Sequence, residues 1–296
     1  IKKMIVKLIY YKLLIKIIKL IFFKNIPKFI APFLTEVEYK FFFLSLSDNK
    51  FDYDRRDNKV SKILNDLETN GYSIIENYFS KDDCQKIIRE IDSFIDNYPD
   101  LIFKNEPYDQ RIFGAENFSN NIKNFYSDKN LSKLATIYNK KDTKACFTLA
   151  AKINSLKGNE GSGGGWHRDG FFRQFKTLLY LSDVCNKNGP FQIILNSHKL
   201  KSYLSDIKKG NLGYMQYRIS NNEVNKILNK NNKRLKTFNA KAGTLILFDT
   251  TTIHRGCPLE SGSRYALTNY FYVQDQISDA LYKKFKVLTK NYIQKK

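Results

Sequence analysis

The chain has 296 residues, 42% of them hydrophobic, which is enough for a sizeable core and excludes a disordered chain. Its net charge of +21 is confined to three stretches: residues 1–40 hold nine Lys against two Glu, residues 199–241 eleven basic against two acidic side chains, and residues 279–296 six Lys against one Asp. The rest is balanced, which excludes a basic groove through the middle of the chain. With Lys making up 40 of the 50 basic residues, the excess fits a coding bias as well as attraction to an acidic surface.

Residues 1–24 are apolar yet carry seven Lys, and no apolar run exceeds four residues, so they do not make a spanning helix. No small-residue cleavage site follows, so they do not read as a signal peptide. Residues 1–45 are expected to be helical. They either lie in an anionic membrane interface through residues 1–40, with Lys snorkelling, or pack on the protein itself. Pro27 and Pro32 break the segment, and residues 46–59 read as a polar linker.

The compact domain is expected over residues 60–296. Val60, Ile63, Leu64 and Leu67 stand at helical spacing before Gly71. Residues 72–78 read as a strand. Ser80 followed by Asp82 and Asp83 starts a helix whose stripe is Cys84, Ile87, Ile88, Ile91, Phe94 and Ile95. A further helix is expected from Ser127 to Tyr138. The period then changes to two, and strands are expected at 145–154, 175–183, 191–195, 244–249 and 264–273. Ser220 with Glu223 forms a capping box inside the basic 199–241 insertion, and a last helix is expected from about Ile277. Helices first and short strands later predict an α+β, mainly β fold: a double-stranded β-helix, or jelly roll, with helices packed on it.

Chemistry concentrates in Gly161–Gly170, GSGGGWHRDG. On a strand, His167 and Asp169 point to one side, so an imidazole and a carboxylate can face one metal ion. The chain has three histidines, and His254 in FDTTTIHRG is the best third ligand. Two His and one carboxylate with open positions is the pattern of non-haem Fe(II) oxygenases. The pair alone is weak, because a surface His beside a solvated Asp is common. His-Arg-Asp also occurs in kinase catalytic loops, but position 174 is Gln where Asn is required, and no G-x-G-x-x-G occurs. The glycines lack a P-loop ending and read as a mobile loop edging the site. Arg264 lies ten residues past His254, and its planar fork can hold a carboxylate. His198 reads as structural. Four scattered cysteines with no C-x-x-C pair suit a reducing compartment, so the expected location is cytoplasmic or peripheral on a membrane.

Four segments in order resemble the phytanoyl-CoA dioxygenase family of Fe(II)- and 2-oxoglutarate-dependent oxygenases: NGYSIIENYFSKDD, WHRDG, LLYLSDVCNKNGPFQIILNSHK and GTLILFDTTTIHRGCPLESGSRYALTNYF. Together they span most of residues 65–275. The resemblance implies that His167, Asp169 and His254 ligate iron. It implies that Arg264 binds the C5 carboxylate of 2-oxoglutarate, and that Tyr180 stands beside the co-substrate. Fe(II), 2-oxoglutarate and dioxygen are then required, and a small-molecule or lipid- or sugar-type substrate is hydroxylated as 2-oxoglutarate becomes succinate and carbon dioxide. Related halogenases lack the carboxylate, whereas Asp169 is present here. Asn196-Ser197-His198 departs from the Pro-Gly-Ser-His of many members, which alters a turn. The alternatives are a non-catalytic binding protein that kept the fold, or a membrane-surface protein. No nucleic-acid motif is visible, and no specific nucleic-acid binding is expected.

Overall fold

In the computed structural model, residues 13, 15–18, 20–21, 26–44, 46, 57–106, 108–229 and 232–273 are described. The expected helix near Ile277 and most of the 46–59 linker lie outside the described residues, as do residues 1–12. Among the described residues no helix is long and apolar enough to cross a membrane.

Helix α1 (Ala31–Leu44) carries Pro32 in its first turn, where a missing N–H leaves no bond unmade. It packs on the protein. Ala31 is buried among Tyr203 and Ile207, Tyr39 donates to the His198 carbonyl at 3.2 Å, and Phe42 stacks on Phe172 at 4.8 Å. Helix α2 (Asn58–Asn70) is capped by Asp57, which accepts from the Lys59 and Val60 amides. It ends at Gly71, whose φ of 86° and close approach to Thr252 exclude a side chain. The strand expected over 72–78 stops early, as β1 (Tyr72–Ile75). The chain then turns at Asn77, φ 51°, so that the Tyr78 amide can donate to the Gly243 carbonyl at 2.8 Å. Helix α3 (Lys81–Asn97) is capped by Ser80 and buries the expected stripe, apart from the half-buried Ile88. Each such cap contributes about 1 kcal/mol.

Strands β2 (Phe103–Glu106) and β3 (Asp109–Phe113) follow. The helix expected from Ser127 to Tyr138 is α5 (Lys129–Asn139), capped by Asp128, and an unexpected short helix, α4 (Asn120–Tyr126), precedes it. Strands β4 (Thr143–Asn154), β5 (Phe175–Tyr180) and β6 (Phe191–Ile194) come next. The basic insertion folds as α6 (Leu200–Gly210), α7 (Asn221–Leu228) and β7 (Leu235–Phe238). The chain continues with β8 (Leu245–Asp249), β9 (His254–Gly256) and β10 (Ser263–Val273).

The strands form two antiparallel sheets, one of seven in the order β1-β8-β5-β10-β4-β3-β2 and one of three, β7-β6-β9. Alternation gives the large sheet two buried faces. One packs against α2 to α5 through Leu179, Leu245, Leu247, Leu267, Ile87, Ile91 and Phe125. The other meets the small sheet through Tyr180, Ile246, Phe248, Phe191, Ile193 and Phe238. Phe191 lies 4.8 Å from Phe248, ring to ring, across that gap. Helices α6 and α7 close over a third cluster with Trp166, Phe171 and Ile253. The result is an α+β architecture in which β9 and the segment before β5 meet at one end of the inter-sheet space.

Candidate metal centre

The segment between β4 and β5 is shaped by glycines. Gly161 and Gly163 have φ of 81° and 86°. A Cβ on Gly161 would lie 2.1 Å from the Gly256 carbonyl oxygen, and one on Gly163 would lie 2.8 Å from the His167 ring. Only glycine lets this loop reach β9 and pass the imidazole. The loop is held rather than loose, because Arg218 donates to the Gly163 and Gly164 carbonyls.

His167 does not lie in a regular strand. It forms isolated antiparallel bridges with Arg218 and with His254, and in the second each backbone amide donates to the other's carbonyl at 2.9 Å. That bridge puts the two imidazoles side by side, 4.3 Å between centroids. Strand-like alternation carries on from there. The Asp169 amide donates to the Thr250 carbonyl at 3.1 Å, and its side chain returns to the histidine side. Arg168 points the opposite way. It is buried over the Tyr203 ring at 4.1 Å and donates to the Ser197 carbonyl at 2.9 Å and to the Thr251 carbonyl.

His254 is presented by the loop after β8. Buried Asp249 accepts from the Thr251 amide at 2.8 Å and hydroxyl at 2.7 Å, and from Tyr138 at 2.7 Å. Ser197 accepts from the Ile253 amide at 2.8 Å, and Asn196 takes φ 63° to turn the chain there. Ser197, which matches the family pattern, thus supports the residue before His254, while Asn196 makes the turn where that pattern has Gly. His198 points elsewhere, its Nε2 3.1 Å from the Glu68 carbonyl.

Nδ1 of His167 lies 2.9 Å from the Gly165 carbonyl, and Nδ1 of His254 lies 2.8 Å from the Thr252 carbonyl. A carbonyl only accepts, so both Nδ1 atoms carry the proton and both Nε2 atoms keep a lone pair. Burial, and then the neighbouring His254, push His167 down to about 3, so its imidazole is neutral. Asp169 Oδ1 is 3.5 Å from His167 Nε2, and Oδ2 is 3.6 Å from His254 Nε2. Burial alone would raise the Asp169 carboxyl, but Lys176 above all, with His254 and His167, holds it well below the usual carboxylate range. The carboxylate keeps 28% of its side-chain surface accessible, leaving an approach for a ligand. The three residues place one ligand atom each within 4.8 Å of one another. Two imidazole nitrogens, one anionic oxygen and, among the described residues, no fourth protein ligand fit a divalent metal with open positions.

Arg264, on β10, is 5% exposed, and its Nε and Nη1 have no hydrogen-bond partner. Gly256 makes room for it, since a Cβ there would lie 2.9 Å from Nη2. An unpartnered guanidinium inside a protein is the donor set a carboxylate needs. Tyr180 is fully buried, and its hydroxyl is engaged twice: it donates to the Phe238 carbonyl at 3.2 Å and accepts from the Phe191 amide at 2.8 Å.

Two groups near the centre escaped the sequence reading. Lys176 on β5 pairs with Asp169, and Arg111 on β3 is held by Asp109 through Nε at 2.8 Å and Nη2 at 2.5 Å. A Lys inside the apolar strand FKTLLY was the available signal, because buried Lys is rare without a partner.

The fold recurs in solved structures. EctD from S. alaskensis with bound Fe is 17% identical at a TM-score of 0.56, over 77% of this chain and 79% of that one. The epimerase SnoN in complex with Fe3+, alpha ketoglutarate and nogalamycin RO is 12% identical at 0.55, over 72% and 83%. These likenesses concern the fold. No curated protein matches the chain by sequence. The family match over residues 67–265 and the His-x-Asp…His centre together place the chain among the non-haem iron- and 2-oxoglutarate-dependent oxygenases. Residues 67–265 match the family phytanoyl-CoA dioxygenase (PhyH), and the chain belongs to it. Iron and 2-oxoglutarate are accordingly its cofactors.

Proposed function

We propose that the protein is an Fe(II)- and 2-oxoglutarate-dependent hydroxylase of a small-molecule substrate of lipid or sugar type, folded as a double-stranded β-helix. The observation that carries this is the convergence of two Nε2 lone pairs and one carboxylate on a single point. His167, Asp169 and His254 hold the iron, and Arg264 receives the C5 carboxylate of 2-oxoglutarate. Bound iron supplies the dioxygen chemistry that couples conversion of 2-oxoglutarate to succinate and carbon dioxide with oxidation of the substrate. The Tyr180 hydroxyl ties the small sheet to the large one, and its ring lies on the Arg264 side of the inter-sheet space. The two sheets facing each other across Phe191 and Phe248 support the β-helix reading. Asp169 fills the position that a halide would need, which favours hydroxylation. SnoN was solved with nogalamycin RO and EctD with 5-hydroxyectoine, which supports a small-molecule substrate.

The test is anaerobic Fe(II) titration, followed by succinate release across a substrate panel. One iron per chain and succinate formation lost in His167→Ala are expected. Equal succinate from wild type and His167→Ala would refute the reading.

A second role is favoured by the exposed apolar residues Leu20, Ile21 and Phe29, at 74%, 68% and 82% exposure, within the Lys-rich stretch 1–40. This stretch attaches the enzyme to an anionic membrane surface. Co-sedimentation with phosphatidylserine vesicles should then be lost in a chain beginning at Ala31, which lacks all three residues. Equal binding by the full and shortened chains would exclude it.

A further inference from the structure

Lys176 has no part in the chemistry above, yet it occupies the middle of β5 and is 5% exposed. Its register neighbours are Phe248 on β8 and Tyr270 on β10, so all three share the face turned toward the metal centre. Nζ lies 3.8 Å from the centroid of the Tyr270 ring and donates to Asp169 Oδ2. Among the described residues no other side chain outside the triad bonds this carboxylate. A buried ammonium is costly unless an anion meets it, and Asp169 is that anion.

The choice of oxygen matters. A carboxylate beside two imidazoles can bind a metal through one oxygen or both. With both, it fills a position that a chelating co-substrate needs. Lys176 claims Oδ2 and leaves Oδ1, which is the oxygen nearer His167 Nε2. We propose that Lys176 is a positioning residue that keeps Asp169 a one-oxygen ligand and so preserves an open metal position for 2-oxoglutarate. This rests on the reading of His167, Asp169 and His254 as the iron ligands.

The sign of the metal effect separates this role from simple structural support. Lys176→Met keeps the length of the side chain and removes the ammonium. Oδ2 is then free for the metal, and a nearby repulsive charge is gone. Co(II), used as the probe metal, should bind the variant at least as tightly as wild type. The Kd for 2-oxoglutarate on the Co(II)-loaded protein should rise about 10- to 100-fold, the size of loss that outer partners of metal ligands cause elsewhere in metal affinity or activity, here shifted to the co-substrate. Lys176→Arg keeps a cation and its donors and should stay within a few-fold of wild type. Both constants are read by calorimetry without turnover, and thermal midpoints confirm folding. Should Lys176→Met not fold, Lys176→Gln carries the same comparison. Weaker Co(II) binding, or an unchanged Kd for 2-oxoglutarate, overturns the positioning role. Failure of wild type to bind Co(II) at all is a different result, since it removes the site reading and the proposal with it.

Discussion

Replacing Arg264 by Leu separates a co-substrate anchor from a structural arginine. A structural arginine loses hydrogen bonds when it is replaced, and stability falls. Arg264 has none to lose at Nε and Nη1, and its burial already depresses its basicity. Removing a buried, unpaired charge is neutral or stabilising, by about 1–4 kcal/mol when an apolar residue packs in its place. The ligand-bound state behaves the other way. A two-pronged buried ion pair with the 2-oxoglutarate C5 carboxylate disappears, at a cost of about 3–5 kcal/mol. At about 1.4 kcal/mol per decade, that is roughly two to four orders of magnitude in Kd.

The assay is a thermal melt of Co(II)-loaded protein with and without 2-oxoglutarate, beside calorimetric titration. At a hundredfold excess over Kd, wild type gains about 2.7 kcal/mol, or roughly 5 °C for a chain of this size. Arg264→Leu should melt no lower than wild type without ligand and show no shift with it. Arg264→Lys keeps the charge but loses the fork, and should fall between the two. A variant that melts several degrees lower yet still shifts with 2-oxoglutarate would refute the assignment.

His167→Ala and His254→Ala should each abolish stoichiometric Fe(II) binding and succinate formation, measured by metal analysis and mass spectrometry. Asp249→Ala should lower stability by about 3 kcal/mol in urea melts, because it strands the Thr251 and Tyr138 donors that shape the approach to His254. Tyr180→Phe should cost about 1–2 kcal/mol by leaving the Phe191 amide unpaired, with the 2-oxoglutarate Kd little changed. Glu223→Ala should cost about 1 kcal/mol at neutral pH. Burial pushes the Glu223 carboxyl up, but hydrogen bonds from Gln216 and Ser220 outweigh it and leave it below its ordinary value. Its contribution is therefore complete above the ordinary Glu range and lost as pH falls through the lowered folded value. Urea midpoints of wild type and Glu223→Ala should converge on acidification.

The parts of the fold legible in the sequence were those with local signals. Ser80, Gly71 and the Ser220–Glu223 box act within four residues of themselves, and the helices they bound stand where the sequence places them. The long strands β4 and β10 and the apolar run of β8 were equally plain. Helix α6 was missed although Leu200, Tyr203, Leu204 and Ile207 have helical spacing. It opens on Lys199 with no side-chain cap and sits among lysines. Strands β2, β3 and β7 are short and polar, and β9 is three residues long, so each exists through its partner rather than its own propensity. The three residues of the candidate centre were legible because their residue types are rare and patterned, and the structure brings them together. The bridge that aligns His167 with His254 joins positions 87 residues apart, and no local pattern announces it.

The same distinction bears on charge. The +21 of the chain lies in residues 1–40, 199–241 and 279–296, whereas the charged groups beside the centre are few and enclosed. Arg111 is matched by Asp109, and Lys176 by Asp169. Buried Arg168 also lacks an ion pair but faces the Ser197 and Thr251 carbonyls, so among the described residues Arg264 is the proposed cation for a co-substrate that carries two carboxylates, with the iron as the other positive charge. Such a pairing is set by enclosed donors at contact distance, where salt screens weakly, while exposed lysines more than a Debye length away contribute little at ordinary ionic strength. The affinity for 2-oxoglutarate should therefore change little between low and physiological salt. Vesicle binding through residues 1–40 should fall steeply over the same range. A strongly salt-dependent 2-oxoglutarate Kd would place the anion site on the lysine-rich surface and remove Arg264 from its role.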